Sequence, residues 1–183
     1  MRNEPMRVMI VLLAFASPVA FACDDPRLAA LSQMSGEWQL SMEGAGFGKV
    51  TMTKSAGGCA FIEIWEGPGG ENGTSLHWLD AQSASPVLRQ VYVDDSGWHI
   101  EATGTLNGDV LEYRGASTDR AGNDVIRRNI IHGLGSDQLL QVAEVSRDGG
   151  ITWESLGNIV YQRVGDTNKS DPLTPSEAAG FGY

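Results

Sequence analysis

The chain has 183 residues, with 23 glycines, only two cysteines and a formal net charge of −10. Such acidity repels phosphate backbones and anionic bilayers, which excludes nucleic acid as an expected partner. The two cysteines, Cys23 and Cys59, do not form a zinc-type cysteine pair.

From the start of the chain, Arg2 and Arg7 supply a basic segment, and Val8 to Phe15 (VMIVLLAF) a short apolar core. Ser17-Pro18 and the small-x-small pattern Ala20-Phe21-Ala22 follow. This is the layout of a secretory signal over 1–22. The apolar run falls short of the about 20 residues that cross a bilayer as a helix, and no later segment approaches that length. The mature chain is therefore expected to lack a transmembrane segment and to reside in the periplasm or be secreted. Cys23 directly follows the cleavage pattern, so a lipid anchor on Cys23 is the alternative; the bulky Phe21 two residues earlier argues against it. Residues 1–22 hold two Arg and one Glu, so removing them leaves 161 residues at net charge −11. That is one domain, with enough chain to bury about 70% of its unfolded surface. Cys23 and Cys59 can pair in an oxidising compartment, or Cys59 can serve as a small buried apolar residue, and spacing leaves both readings open.

Residues 24–34 (DDPRLAALSQM) predict a short helix. Asp24 or Asp25 caps it, Pro26 suits its first turn, and Leu28, Leu31 and Met34 share a face. Strands are then predicted at 36–43, 48–55, 58–66, 74–81, 86–94, 97–106, 109–117, 123–132, 137–146 and 151–163. The glycines fall between them, at turns where positive φ is needed. About ten strands with hairpin-length connections make an antiparallel up-and-down meander. Closure of that meander into a barrel removes its two free edges. The domain spans 23–164, and 165–183 reads as a mobile tail.

Two hairpins predict a register. Asn107-Gly108 as a two-residue type I′ turn pairs Thr105 with Val110, Ala102 with Tyr113 and Glu101 with Arg114. Asp95-Ser96-Gly97 as a three-residue turn, with Gly97 left-handed, pairs Tyr92 with Ile100 and Gln90 with Ala102. One face then carries Leu88, Gln90, Tyr92, Trp98, Ile100, Ala102, Leu111 and Tyr113, and is predicted to be the interior. The other carries Arg89, His99, Glu101, Thr103, Glu112 and Arg114.

Gly36-x-Trp38, just after the predicted helix, resembles the signature of lipocalin-like barrels, in which the Trp closes the barrel floor. Ser146-x-Asp148-x-Gly150-x-Thr152-Trp153 resembles the Asp-box hairpin of sialidases and other propellers. A single copy in this chain makes it a turn device rather than glycosidase chemistry. A wider resemblance runs from Gly57 to Arg163. Its pieces are Gly57-Gly58-Cys59 with Glu63 and Trp65, Gly73-Thr74-Ser75-Leu76 with Asp80, Arg89-Gln90 with Val93-Asp94, and the 146–153 motif with Tyr161 and Arg163. Together they are similar to a family of uncharacterised bacterial exported proteins with a lipocalin-like (calycin-type) barrel. The chain departs from that family where an aromatic is expected at Leu79 and Trp at Leu88 and Tyr92, so its pocket lining is expected to differ. The resemblance implies a fold and a compartment and no reaction.

Catalytic patterns are sparse. His77, His99 and His132 lie on three strands without metal-ligand spacing, and no nucleophile elbow or phosphate loop is present. No catalytic residue, metal or cofactor is assigned. Glu63 with Glu101 or Glu144 is the one carboxylate pairing to consider. The preferred reading is a binding module for a small apolar or amphipathic ligand, held by Trp38, His77, Gln90, Tyr92, Trp98 and Tyr113. The alternatives are a hydrolase or isomerase using His77, Gln90 and a glutamate, and an envelope protein whose barrel is filled by its own side chains. Oligomeric state is not readable from the sequence.

Overall fold

The computed structural model describes residues 22–82 and 85–165. The predicted signal and tail thus lie outside the described residues, apart from Ala22 and Gly165. After a 3-10 turn at Ala22–Asp24, helix α1 spans Pro26–Ser32. Of the two candidate caps it is Asp25 that serves, accepting from the Arg27 amide at 2.9 Å. The helix is shorter than predicted, yet Leu28, Leu31 and Met34 are all buried on one side. No helix among the described residues is long and apolar enough to cross a membrane.

Ten strands follow: β1 Gly36–Met42, β2 Ala45–Ser55, β3 Ala60–Glu66, β4 Asn72–Asp80, β5 Val87–Asp94, β6 His99–Asn107, β7 Val110–Thr118, β8 Asp124–His132, β9 Gln138–Ser146 and β10 Glu154–Arg163. Each pairs antiparallel with its sequence neighbours, and β1 also pairs with β10, so the meander closes. The result is an all-β ten-stranded barrel with one short helix, as the strand count and the edge argument predicted. The last strand begins at 154 rather than 151, because the 146–153 motif is consumed by its own turn.

The helix seals one end. Leu28, Leu31 and Met34 join Trp38, Phe61, Leu88 and other inward residues in one apolar cluster. Trp38 is 1% exposed and donates its indole N–H to the Met34 carbonyl at 2.8 Å. The Arg163 guanidinium covers its other side, 4.1 Å from the ring centroid, and donates to the carbonyls of Ser35 (2.8 Å) and Gln33 (2.7 Å). A disulfide joins Cys23 to Cys59, tying the segment before α1 to the β2–β3 turn and deciding between the two readings of Cys59.

The β5–β6 register is the predicted one, with Gln90 opposite Ala102 and Tyr92 opposite Ile100; Gly97 stands at φ 81°. The β6–β7 register is not. Thr103, not Glu101, faces Arg114, Gly104 faces Tyr113, and Thr105 faces Glu112. Asn107 is the last paired residue, opposite Val110, so the two turn residues are Gly108 and Asp109. Gly108 has φ 60° and Asp109 is not left-handed, which puts glycine first in the turn, the type II′ arrangement rather than type I′. The slip is two residues, so every side chain keeps its predicted face. Arg114 still points outward, where it lies 5.1 Å from the centroid of the Trp153 ring.

Two bulges interrupt the alternation. Phe47 is the extra residue opposite Leu40/Ser41, and Leu156 the extra residue between Ser155 and Gly157. Both side chains reach the interior cavity described below. The 146–153 motif is the turn device expected of it. Asp148 accepts from the amides of Ile151 (3.0 Å) and Thr152 (2.9 Å) and the Thr152 hydroxyl (2.6 Å), while Ser146 Oγ accepts from the Gly150 amide at 2.7 Å. Trp153 lies under the Arg128 guanidinium, 3.9 Å from its centroid.

Two stability tests follow from these contacts. Under oxidising conditions Cys59→Ala is expected to lower unfolding free energy by about 2–4 kcal/mol, read by urea titration against wild type with and without reductant. An unchanged midpoint would mean the crosslink adds nothing. The Asp148 carboxyl is held well below the usual carboxylate range, first by the Thr152 hydroxyl and amide and then by Ser146. Asp119 is lowered to about 2, chiefly by the amide and side chain of Asn123. A carboxyl depressed on folding contributes stability that is complete above its unfolded value, about 3.9, and drains away as pH falls toward its folded value. Thermal midpoints should therefore hold from pH 8 to about 5 and fall below about 4. Asp148→Asn should start lower at neutral pH and show a shallower acid limb; an unaltered acid limb would contradict the assignment.

Candidate functional site

Above the packed floor, the inward faces carry polar groups, arranged in cross-strand rows. One row runs Glu63, Ser75, Tyr92, Ile100 from β3 to β6, and the next Phe61, His77, Gln90, Ala102. A third brings Tyr113 opposite Gly104 and Asn129. Two glycines make room for the tyrosines. A Cβ on Gly104 would lie 2.7 Å from the Tyr113 ring, and one on Gly73 would meet the Tyr92 ring at 2.7 Å.

These rows build a connected network. Gln90 donates to Ser75 Oγ at 3.2 Å, and Ser75 in turn bonds the Glu63 carboxylate. His77 Nε2 lies 3.1 Å from Glu63 Oε2, and His77 Nδ1 lies 3.0 Å from the Tyr113 hydroxyl. Burial opposes ionisation of Glu63, but the His77 bond and charge, with Ser75, outweigh it and hold its carboxyl below the ordinary value. An ionised carboxylate only accepts. His77 therefore donates to it through Nε2, while Nδ1 is bonded to the Tyr113 hydroxyl. Burial, and then the Glu63 charge, push the Tyr113 phenol up. Tyr92 is pushed up to about 12, first by burial and then by Asp94 and Glu63. Both phenols stay protonated, as hydrogen-bond donors.

A cavity of about 390 Å³ opens above this network. Leu40, Met42, Phe47, Val50 and Ile159, from β1, β2 and β10, supply apolar lining; polar lining flanks them on both sides, Glu63, Ser75, Gln90 and Tyr92 on one and Gln141 and Tyr161 on the other. Tyr161 donates to Gln141 Oε1 at 2.8 Å, whereas the Trp65 indole N–H, buried in the lining, has no partner.

Gln90, Tyr92 and Trp98 thus line the cavity, the last from just before β6. Trp38, His77 and Tyr113 do not reach it. Trp38 belongs to the floor under α1, and the other two stand behind Glu63, each 2% exposed. Of the two considered partners for Glu63, Glu101 is exposed outside, whereas Glu144 lines the same cavity but is paired with Arg128. His99 is exposed, and among the described residues no group of three His, Cys, Asp or Glu can hold a metal. Sequence reasoning missed Arg127, Asn129, Gln141 and Tyr161 as lining residues. Alternation in β8 (Val125, Arg127, Asn129, Ile131) carried the signal for two of them.

Tyr113→Phe should leave His77 Nδ1 buried without a partner and cost about 1–3 kcal/mol, measured by chemical denaturation. A neutral result would show that the phenol is not needed to satisfy the ring. No protein-family model matches this chain, and neither does any curated protein.

Proposed function

We propose that the barrel binds a small amphipathic molecule, its apolar part against Leu40, Met42, Phe47, Val50 and Ile159 and its polar part against Gln90, Tyr92 and Gln141. The observation that carries this reading is the cavity with its mixed apolar and polar lining. Its volume of about 390 Å³ falls in the range of small-ligand pockets, and a few polar groups converge on a largely apolar space. Open space of that size favours binding over a barrel filled by its own side chains. The buried Trp65 N–H gives a ligand acceptor something to satisfy. Export to an oxidising compartment, as the N-terminal sequence suggests, agrees with the Cys23–Cys59 bond.

A second reading, proton transfer on the bound molecule, is favoured by one observation. Glu63 is an ionised carboxylate that lines the cavity and is backed by His77, the layout of a general base held in place by an imidazole.

Native mass spectrometry of protein purified from its own host should find a retained small mass. Gln90→Leu should reduce its retention several-fold while changing stability by less than about 1 kcal/mol, because Ser75 keeps its bond to Glu63. A large stability loss with unchanged retention would assign Gln90 to the fold instead. Conversion of the retained molecule by wild type but not by Glu63→Gln would move the conclusion to catalysis.

A further inference from the structure

Arg127 is the one guanidinium on the inner face of the described barrel without a carboxylate. The other described arginines that point at carboxylates do so at the surface or the rim, as Arg147 does with Asp119 and Arg163 with Asp137. Arg127 shares the interior face of β8 with Val125, Asn129 and Ile131 and lines the cavity. Its Nε is buried with no hydrogen-bond partner, and among the described residues no carboxylate forms an ion pair with it, the Asp119 charge acting on it only from a distance. Its guanidinium rests on the Trp98 ring at 5.0 Å, and Trp98 in turn touches Tyr92. A planar cation fixed by an aromatic face is pre-oriented, so its remaining donors are aimed rather than free to rotate.

The carboxylates near it are otherwise engaged. Asp94 accepts from Ser96 and the Trp98 amide, and Asp119 binds Arg147 and Asn123. Glu63, on β3 across the barrel, is held by His77 and Ser75, and Glu144, which also lines the cavity, pairs with Arg128. A guanidinium nitrogen that has given up water without gaining an acceptor is costly to keep. The chain's overall negative charge adds long-range repulsion toward anions, so only a local donor set compensates it. Arg127 and the unpartnered Trp65 N–H are two donors lining one cavity that lack acceptors.

Resting on the reading that the cavity holds an amphipathic molecule, we propose that this molecule carries an acidic group, a carboxylate or an equivalent oxyanion, and that Arg127, stacked on Trp98, is the residue that binds it. The apolar remainder then lies toward Leu40, Met42 and Phe47.

Isothermal titration of the disulfide-bonded protein at pH 8 with decanoate, 1-decanol and decylamine separates the possibilities, since the three probes share a chain and differ in head-group charge. Decanoate is expected to bind at least tenfold tighter than 1-decanol. Arg127→Met should remove that preference, and Arg127→Lys should keep part of it. Equal affinities in wild type, or a preference for decylamine, would overturn the acidic-group inference while leaving the cavity reading intact. A preference unchanged in Arg127→Met would remove Arg127 from the site. Binding of none of the three at millimolar concentration would overturn both readings. If Arg127→Met fails to fold, the wild-type ranking and Arg127→Lys still decide.

Discussion

The stacking of Arg163 on Trp38 is the contact on which the rest of the barrel depends. A ten-strand meander has two loose edges until its first and last strands meet, and Trp38 and Arg163 are directly opposed where they do. The guanidinium also donates to the two carbonyls that follow α1, so one side chain joins the end of the chain, the first strand and the helix plug. Gly36 is part of the same device. It sits at φ 128°, and a Cβ there would lie 2.9 Å from the Arg163 guanidinium. The spacing of glycine and tryptophan therefore has a physical reading: the glycine leaves the lane through which the arginine reaches the carbonyls.

With one end sealed, the interior divides. Its lower part is dry and packed, built on Trp38, Phe61, Leu88 and Leu111. The part above it holds a carboxylate, an imidazole, amides and phenols, whose burial is costly unless each finds a partner. The network from Gln90 through Ser75, Glu63 and His77 to Tyr113 provides those partners almost completely. A network satisfied to that degree specifies its own geometry. Glu63 is presented to the cavity in one orientation because His77, 2% exposed and wedged against Tyr113, has no room to choose another.

Much of the fold was legible because strand periodicity is insensitive to small errors. The Asn107-Gly108 hairpin was misread by two residues, yet Leu111 and Tyr113 remained inside, since a slip of two preserves every face. The turn type was the source of the error. A lone glycine beside asparagine serves as the second residue of a type I′ turn or the first of a type II′ turn, and only the chain's three-dimensional path selects between them. The cavity was less legible for the same reason that alternation works. Phe47 and Leu156 enter through bulges, which break the period on which side assignment rests. Trp38 lies at the floor, as the Gly-x-Trp resemblance implied, and His77 and Tyr113 lie inside but below the cavity; alternation tells inside from outside and says nothing of height along the barrel.

Arg127 marks the limit of pattern reading in a different way. Alternation with Val125 and Ile131 puts Arg127 inside, whereas the rule that interiors are apolar argues against an arginine there. Its position is consistent only once Trp98 is seen beneath it. The aromatic face offsets part of the lost hydration and the cavity leaves its donors unobstructed. The two polar regions of the interior then differ in kind. The one around Glu63 is saturated by the protein's own groups and favours rigidity, whereas the one around Arg127 and Trp65 is left open. A site that must accept a molecule from outside needs both, since a rigid wall fixes the shape while unmet hydrogen-bonding capacity supplies a reason for the ligand to remain.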